Sequence, residues 1–327
     1  MTMKACIYGA GAIGGWLGVA LAQAGHPVSL VARRETLRAL QTQGLRMRRT
    51  DGTLAQVPVT AHSDPAALGV QDLVVIAVKA PGLPDVARAI APLLGPHTVV
   101  LTAMNGVPWW FLDGVGGAAQ GRALESVDTG GVIAQAIPAR SVLGGVVHAS
   151  CSLEAPGFVR HHFGDRLILG EPDGSRSARL LALADSLQRG GIQAEVSDCI
   201  QKDIWFKLWG NLTMNPISAL TGATTDRILN DDLVRGFASA VMLEAKAIGS
   251  QLGLPIDQQP EDRHAVTRKL GAFKTSMLQD VEASKPLEID ALVGAVRELG
   301  QIASTPTPRS AALLGLVRLM ARTRGLY

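Results

Sequence analysis

"ACIYGAGAIG", Ala5–Gly14, is the stretch whose reading decides the fold of this chain. A short, largely apolar strand runs straight into a G-x-G-x-x-G loop, and a helical pattern continues from Ala12 to Ala24. A glycine loop between strand and helix opens a mononucleotide-binding βαβ unit. Gly9 permits the tight turn, Gly11 lets the backbone approach a pyrophosphate, and Gly14 lets the helix pack close on the strand. Together with Ala10, Ala12 and Ile13 they form a cradle whose free N–H groups and helix dipole favour phosphate. A glycine-rich turn without a ligand would look similar, but the place at the head of a βαβ unit favours the dinucleotide.

The next strand, "PVSLVA", runs into Arg33 and Arg34. A carboxylate there would bind the ribose 2′-hydroxyl of NAD. Two guanidiniums instead suit a 2′-phosphate, so NADP(H) is the expected cofactor unless both arginines are merely solvated. "LRMRRTDGTLAQVPVT" reads as an inserted hairpin turning at Asp51-Gly52. "DLVVIAV" (Asp72–Val78) and "TVVLTA" (Thr98–Ala103) are the apolar runs of central parallel strands. Lys79 closes the first and Asn105 follows the second, where strand ends form a ligand crevice; a lysine there can also snorkel to water.

Strands alternating with helices imply an α/β, Rossmann-like doubly wound sheet. Gly114–Gly131 reads as a long irregular loop, after which "VLGGVVHAS", "GFVRHHF", "RLILG" and "IQAEV" return as strands around a helix from Ser177 to Gln188. Beyond Ser197 helical periodicity dominates, with breaks at Pro216, Gly253–Pro255, Lys285-Pro286 and Thr305–Pro308. The expectation is therefore a nucleotide-binding domain over 1–197 and an all-helical domain over 198–327.

With a net charge of +3 and only 18% charged residues, the 327-residue chain lacks the clustered basic surface of a nucleic-acid binder, and a small anionic ligand suits it better. Cys6, Cys151 and Cys199 form no C-x-x-C, which points to a reducing cytoplasm. His161-His162 is not spaced as a ligand pair, so no metal site is expected. No leader precedes the first strand and no apolar run reaches about 18 residues, so neither a signal peptide nor a membrane span is expected.

"WFKLWGNLTMNP", Trp205–Pro216, carries a second message. Lys207, Asn211 and Asn215 recur every four residues on an otherwise apolar helix. They form one line roughly 12 Å long. A buried ammonium and two buried amides need partners. An anionic substrate would supply them, as would neighbouring helix ends or a carboxylate such as Asp203. Ser276 and Glu288 are further polar residues among apolar ones, although Ser276 could equally cap local backbone.

This ordered set, G-x-G-x-x-G, a strand ending in lysine, "NG", K-x-x-x-N-x-x-x-N, S-M-L-Q-D and E-I-D, resembles the ketopantoate reductase (2-dehydropantoate 2-reductase) family over nearly the whole chain. The resemblance implies a Rossmann domain joined to a helical domain, an active site in the cleft between, NADPH as hydride donor and a small 2-keto acid as substrate. It implies Lys207 as the catalytic lysine, with Asn211, Asn215 and Ser276 binding substrate. It implies cofactor contacts from the glycine loop, Arg33, Lys79, Asn105 and Glu288, and a backbone contact from Ser150. A homodimer is admitted. Thr225 and Phe273 stand where asparagines are usual in the family, and Trp109-Trp110 follows "NG". These departures keep open a bulkier keto acid or an imine as substrate, while a non-catalytic cofactor-binding regulator would have little use for Lys207.

Overall fold

The computed structural model describes residues 2–327. The chain divides into two compact units: residues up to Met104 with Val132–Ile200, and Asn105–Gly131 with Gln201–Tyr327.

The first unit holds β1 (Ala5–Tyr8), α1 (Ala12–Gln23), β2 (Val28–Val31), α2 (Arg34–Gln43), β3 (Leu45–Arg48), β4 (Leu54–Val57), β5 (Thr60–His62) and β6 (Leu73–Ile76). It continues with α3 (Leu83–Ala89), β7 (Val99–Thr102), α4 (Val132–Ala136), β8 (Val142–Ala155), β9 (Phe158–Gly170), α5 (Ala178–Arg189) and β10 (Gln193–Val196). All ten strands form one sheet in the order β4-β3-β9-β8-β7-β6-β1-β2-β5, with β10 beside β9.

From β5 through β2, β1, β6 and β7 to β8 every neighbouring pair is parallel, the doubly wound core the sequence implies. The sheet as a whole is nevertheless mixed. "GFVRHHF" and "RLILG" are one long strand, β9, which turns back antiparallel on β8 through Pro156-Gly157. A two-residue connection can only reverse the chain, whereas a parallel neighbour needs a long crossover. Gly157 takes the positive φ (66°) that such a turn requires. The β3–β4 hairpin turns at Asp51-Gly52, where the Asp51 carboxylate accepts from the Thr53 N–H at 2.9 Å.

The core of this unit forms where α1 covers the sheet. Leu17 and Leu21 are enclosed with Leu30, Leu45, Leu167 and Leu187. Each such side chain contributes roughly 2 kcal/mol of apolar burial.

The second unit is helical: α6 (Ile200–Thr221, whose first residue belongs to the first unit), α7 (Thr225–Asn230), α8 (Asp232–Gln251), α9 (Pro260–Arg268), α10 (Ser276–Glu282), α11 (Ala295–Ile302) and α12 (Pro308–Thr323). Pro216 does not end α6 as the sequence suggests; the helix runs on to Thr221. Proline removes one helical hydrogen bond. Burial of Ile217, Ser218 and Ala219, together with a bond from Ser218 Oγ to the Ala223 carbonyl, offsets that loss.

The glycine-rich stretch around Gly114–Gly131 is less irregular than expected. It contains one-turn helices at Phe111–Gly114 and Gly117–Ala119, and a turn at Thr129–Gly131 in which Gly130 and Gly131 take positive φ (69° each). It also packs with the helices instead of the sheet, a grouping that a single boundary near residue 197 does not describe. The Glu298 carboxylate on α11 holds it, accepting from the backbone N–H groups of Glu125 and Ser126 at 2.8 Å each. Trp110 and Phe111 give this stretch its buried anchor, and Phe111 meets Trp205 of α6 at 6.1 Å between ring centres. No helix is long and apolar enough to cross a membrane among the described residues.

Candidate active site

In the first unit the glycine loop meets the requirements set by its sequence. Gly9 lies at φ 112°, and a Cβ there would sit 2.9 Å from the Ala77 carbonyl. A Cβ on Gly14 would fall 2.1 Å from the Gly9 oxygen and 2.9 Å from Ile7 Cγ2. Gly11 differs: nothing lies within 4 Å of where its Cβ would be. The first two glycines are thus demanded by the protein's own packing, while Gly11 leaves open space beside the backbone. Gly11 is also the N-cap of α1 and brings no side-chain cap. The first helical N–H groups are left to a ligand, which is the arrangement a pyrophosphate fits.

A cleft of about 350 Å³ adjoins this loop, lined among others by Gly9, Ala10, Ala32, Arg33, Thr36 and Asp85. Arg33 is exposed and reaches the cleft wall; Arg34, at φ 52°, is the first residue of α2 and is not part of the lining. Lys79 is half-buried on extended backbone just beyond β6. Ser150 lies on β8 opposite Phe163, at a register shift between the two long strands. Such irregularities re-aim the chain locally.

The second unit gathers the polar stripe. Lys207 Nζ donates to Asn105 Oδ1 at 2.9 Å. Burial pushes the Lys207 ammonium down from its ordinary 10.5 to about 8, with Glu288 pulling it up and Arg263 adding to the fall. Asn211 is half-buried and Asn215 is 6% exposed, both on the Lys207 face of α6. Neither amide is hydrogen-bonded to another described side chain, so both can turn to a ligand.

Ser276 is exposed at the start of α10, and it is Thr275 that caps this helix by accepting from the Leu278 N–H. Thr225 is enclosed and spends its hydroxyl on the Gly271 carbonyl at 2.9 Å, while its N–H bonds the Phe273 carbonyl. These two departures from the family pattern therefore pair with each other's backbone. Trp109 and Trp110 are 5% and 1% exposed, core residues of the second unit.

Sequence reading missed one residue, Arg263 of α9. Its guanidinium stacks over the Phe206 ring at 5.5 Å and fits against Gly210, where a Cβ would come within 2.6 Å of its Nε. Nothing in "PEDRHAVTR" separates this arginine from a surface charge; its environment exists only once α9 meets α6.

Family models described as ketopantoate reductase PanE/ApbA and its C-terminal counterpart match residues 5–174 and 199–321. The chain belongs to the ketopantoate reductase family. It is 49% identical to a 2-dehydropantoate 2-reductase from Mesorhizobium japonicum, over 99% of this chain and all of that protein. It matches the crystal structure of a candidate ketopantoate reductase from Ralstonia solanacearum MolK2 at 59% identity and TM-score 0.96, with 100% of both chains covered. A 2-dehydropantoate 2-reductase structure from Geobacter metallireducens matches at 26% identity and TM-score 0.84, over 97% of this chain and 99% of that one. The family consists of nicotinamide-dependent oxidoreductases, and the open backbone at Gly11 with the uncapped α1 fits such a cofactor.

Proposed function

We propose that this protein reduces 2-dehydropantoate to pantoate with NADPH, a step of pantothenate biosynthesis. The family assignment and the full-length relative support the reaction. The observation that carries the chemistry is a half-buried lysine, poised near pH 8, held by Asn105 and flanked by two free amides.

When bound, the dihydronicotinamide supplies the hydride. The rest falls to the protein. Glycine-loop N–H groups take the pyrophosphate, and Arg33 takes the 2′-phosphate, with Arg34 beside it in sequence. Lys79, Asn105, Ser150 and Glu288 complete the proposed cofactor contacts. Lys207, as ammonium, stabilises charge growing on the ketone oxygen and gives that oxygen its proton. Asn211, Asn215 and Ser276 hold the hydroxyl and carboxylate of the keto acid, and Asn105 fixes the Lys207 nitrogen. In this reading the first unit supplies most of the cofactor contacts, and the second supplies Asn105 and Glu288 together with the substrate-binding residues.

A bulkier substrate is not favoured: of the features that suggested it, the tryptophan pair is enclosed in the core and Thr225 is bonded to the Gly271 and Phe273 carbonyls. The test is steady-state NADPH oxidation with 2-dehydropantoate, repeated with NADH and with the Lys207→Ala variant. The expected result is turnover with NADPH, weaker use of NADH, and loss of about 10²-fold or more in kcat for the variant with NADPH binding retained. Near-normal turnover by Lys207→Ala would reject its role.

A further inference from the structure

We infer that Arg263 is a carboxylate-binding residue of this enzyme and sets its preference for acidic substrates. The inference deepens the reading above and rests on it. Three observations on α6 and α9 point the same way. The Arg263 guanidinium lies over the Phe206 ring, and its Nε is enclosed without a hydrogen-bond partner. Gly210, one turn further along α6, makes room for it in this position, since a Cβ there would come within 2.6 Å of Nε and 2.9 Å of Nη2 and displace the guanidinium. Arg263 also acts electrostatically on Lys207.

Phe206 and Gly210 each immediately precede a member of the polar stripe, Lys207 and Asn211. Successive helical residues are about 100° apart. Arg263 therefore flanks the stripe along the same turn of α6. A structural arginine so enclosed ordinarily pairs with a carboxylate, as Arg179 does with Glu171 and Arg318 with Asp290. Among the described residues Arg263 has no such partner. A cation seated beside a second cation, with a glycine making room for it and no acid to meet it, is arranged for an anion from outside. The planar guanidinium suits a carboxylate, which it can bind through two parallel N–H donors. In a 2-keto acid the carboxylate adjoins the ketone. Lys207 then serves the reacting oxygen while Arg263 takes the charge beside it.

The experiment compares the intact wild type with Arg263→Gln and Arg263→Lys. Pantoate binding is measured by calorimetry in the presence of NADP⁺, and NADPH oxidation is measured with 2-dehydropantoate and with its uncharged methyl ester. Arg263→Gln is expected to weaken pantoate binding and to raise KM for the acid by roughly 10- to 100-fold, the size expected for losing a charged hydrogen bond. Its kcat should fall by less, its KM for the ester should stay near the wild-type value, and Arg263→Lys should lie between. A purely packing role would instead lower Tm and affect acid and ester alike, which would overturn the inference. Unchanged pantoate binding and KM in Arg263→Gln, with a fully active wild type, would overturn it alone. A wild type that neither binds pantoate nor oxidises NADPH would overturn the proposed function together with it.

Discussion

Lys207 Nζ is hydrogen-bonded to Asn105 Oδ1 across 102 residues of chain. The bond aims the ammonium and ties the stretch after β7 to α6 within one compact unit. Burial, not this hydrogen bond, lowers the pKa of the nitrogen to about 8, which makes it able to release a proton near neutral pH.

Catalysis should follow the ammonium form. Its pKa of about 8 leaves Lys207 chiefly charged at neutral pH, so kcat/KM with 2-dehydropantoate should be level there and fall as pH rises through about 8. Glu288→Gln removes a raising influence and should move this limb to lower pH; Arg263→Gln removes a lowering one and should move it higher. A rate that holds steady up to the ordinary lysine range would contradict the assignment.

Stability should show the opposite face of the same shift. The folded pKa lies below the unfolded one, so the unfolded chain binds more protons between about 8 and 10.5, and stability rises with pH across that window. The cost of enclosing the ammonium is fully present below about pH 8. Lys207→Met should thus raise Tm at neutral pH, by an amount that shrinks towards pH 10.5. A variant that melts below the wild type throughout would show that the Asn105 bond outweighs the burial cost.

Glycines of the cradle should separate by mechanism. Gly14→Ala drives a methyl into the Gly9 carbonyl and should cost about 1–3 kcal/mol, read by urea denaturation. Gly11→Ala meets no protein atom, so Tm should hold while the Kd for NADPH rises at least about tenfold. Equal losses of stability in both would argue that the open space at Gly11 is not kept for a ligand.

Arg33→Asp should invert the cofactor preference. Binding of NADPH should weaken by roughly 10- to 100-fold, while NADH binding holds or improves, because the ribose 2′-hydroxyl gains an acceptor. Arg34→Ala, outside the cleft lining, should do less. Titration of both dinucleotides by protein fluorescence decides it.

Glu298→Ala should loosen the stretch that carries Asn105. Two backbone N–H groups and the Ser126 hydroxyl lose their acceptor, at a cost of about 1–3 kcal/mol. Hydrogen exchange at Glu125 and Ser126 should quicken; protection equal to that of the wild type would mean another contact holds the stretch.

Much of this architecture was legible residue by residue, since its cues act over short distances. The glycine loop, the apolar strands and the Asp51-Gly52 turn are steric consequences of neighbours in sequence. The four-residue recurrence of Lys207, Asn211 and Asn215 needs only the helical repeat. Where the reading slipped, distant contacts had overruled a local rule. Pro216 stays inside α6 because burial repays the missing bond.

The sequence by itself determined a nucleotide cradle, a parallel core and a lysine–amide stripe, because sterics and periodicity are local. Only the tertiary structure decided that Asn105 holds Lys207, that Asn105–Gly131 packs with the helices, and that Arg263 settles over Gly210. Those outcomes depend on apolar burial and charge compensation between residues far apart in the chain, and no short window of residues contains either term.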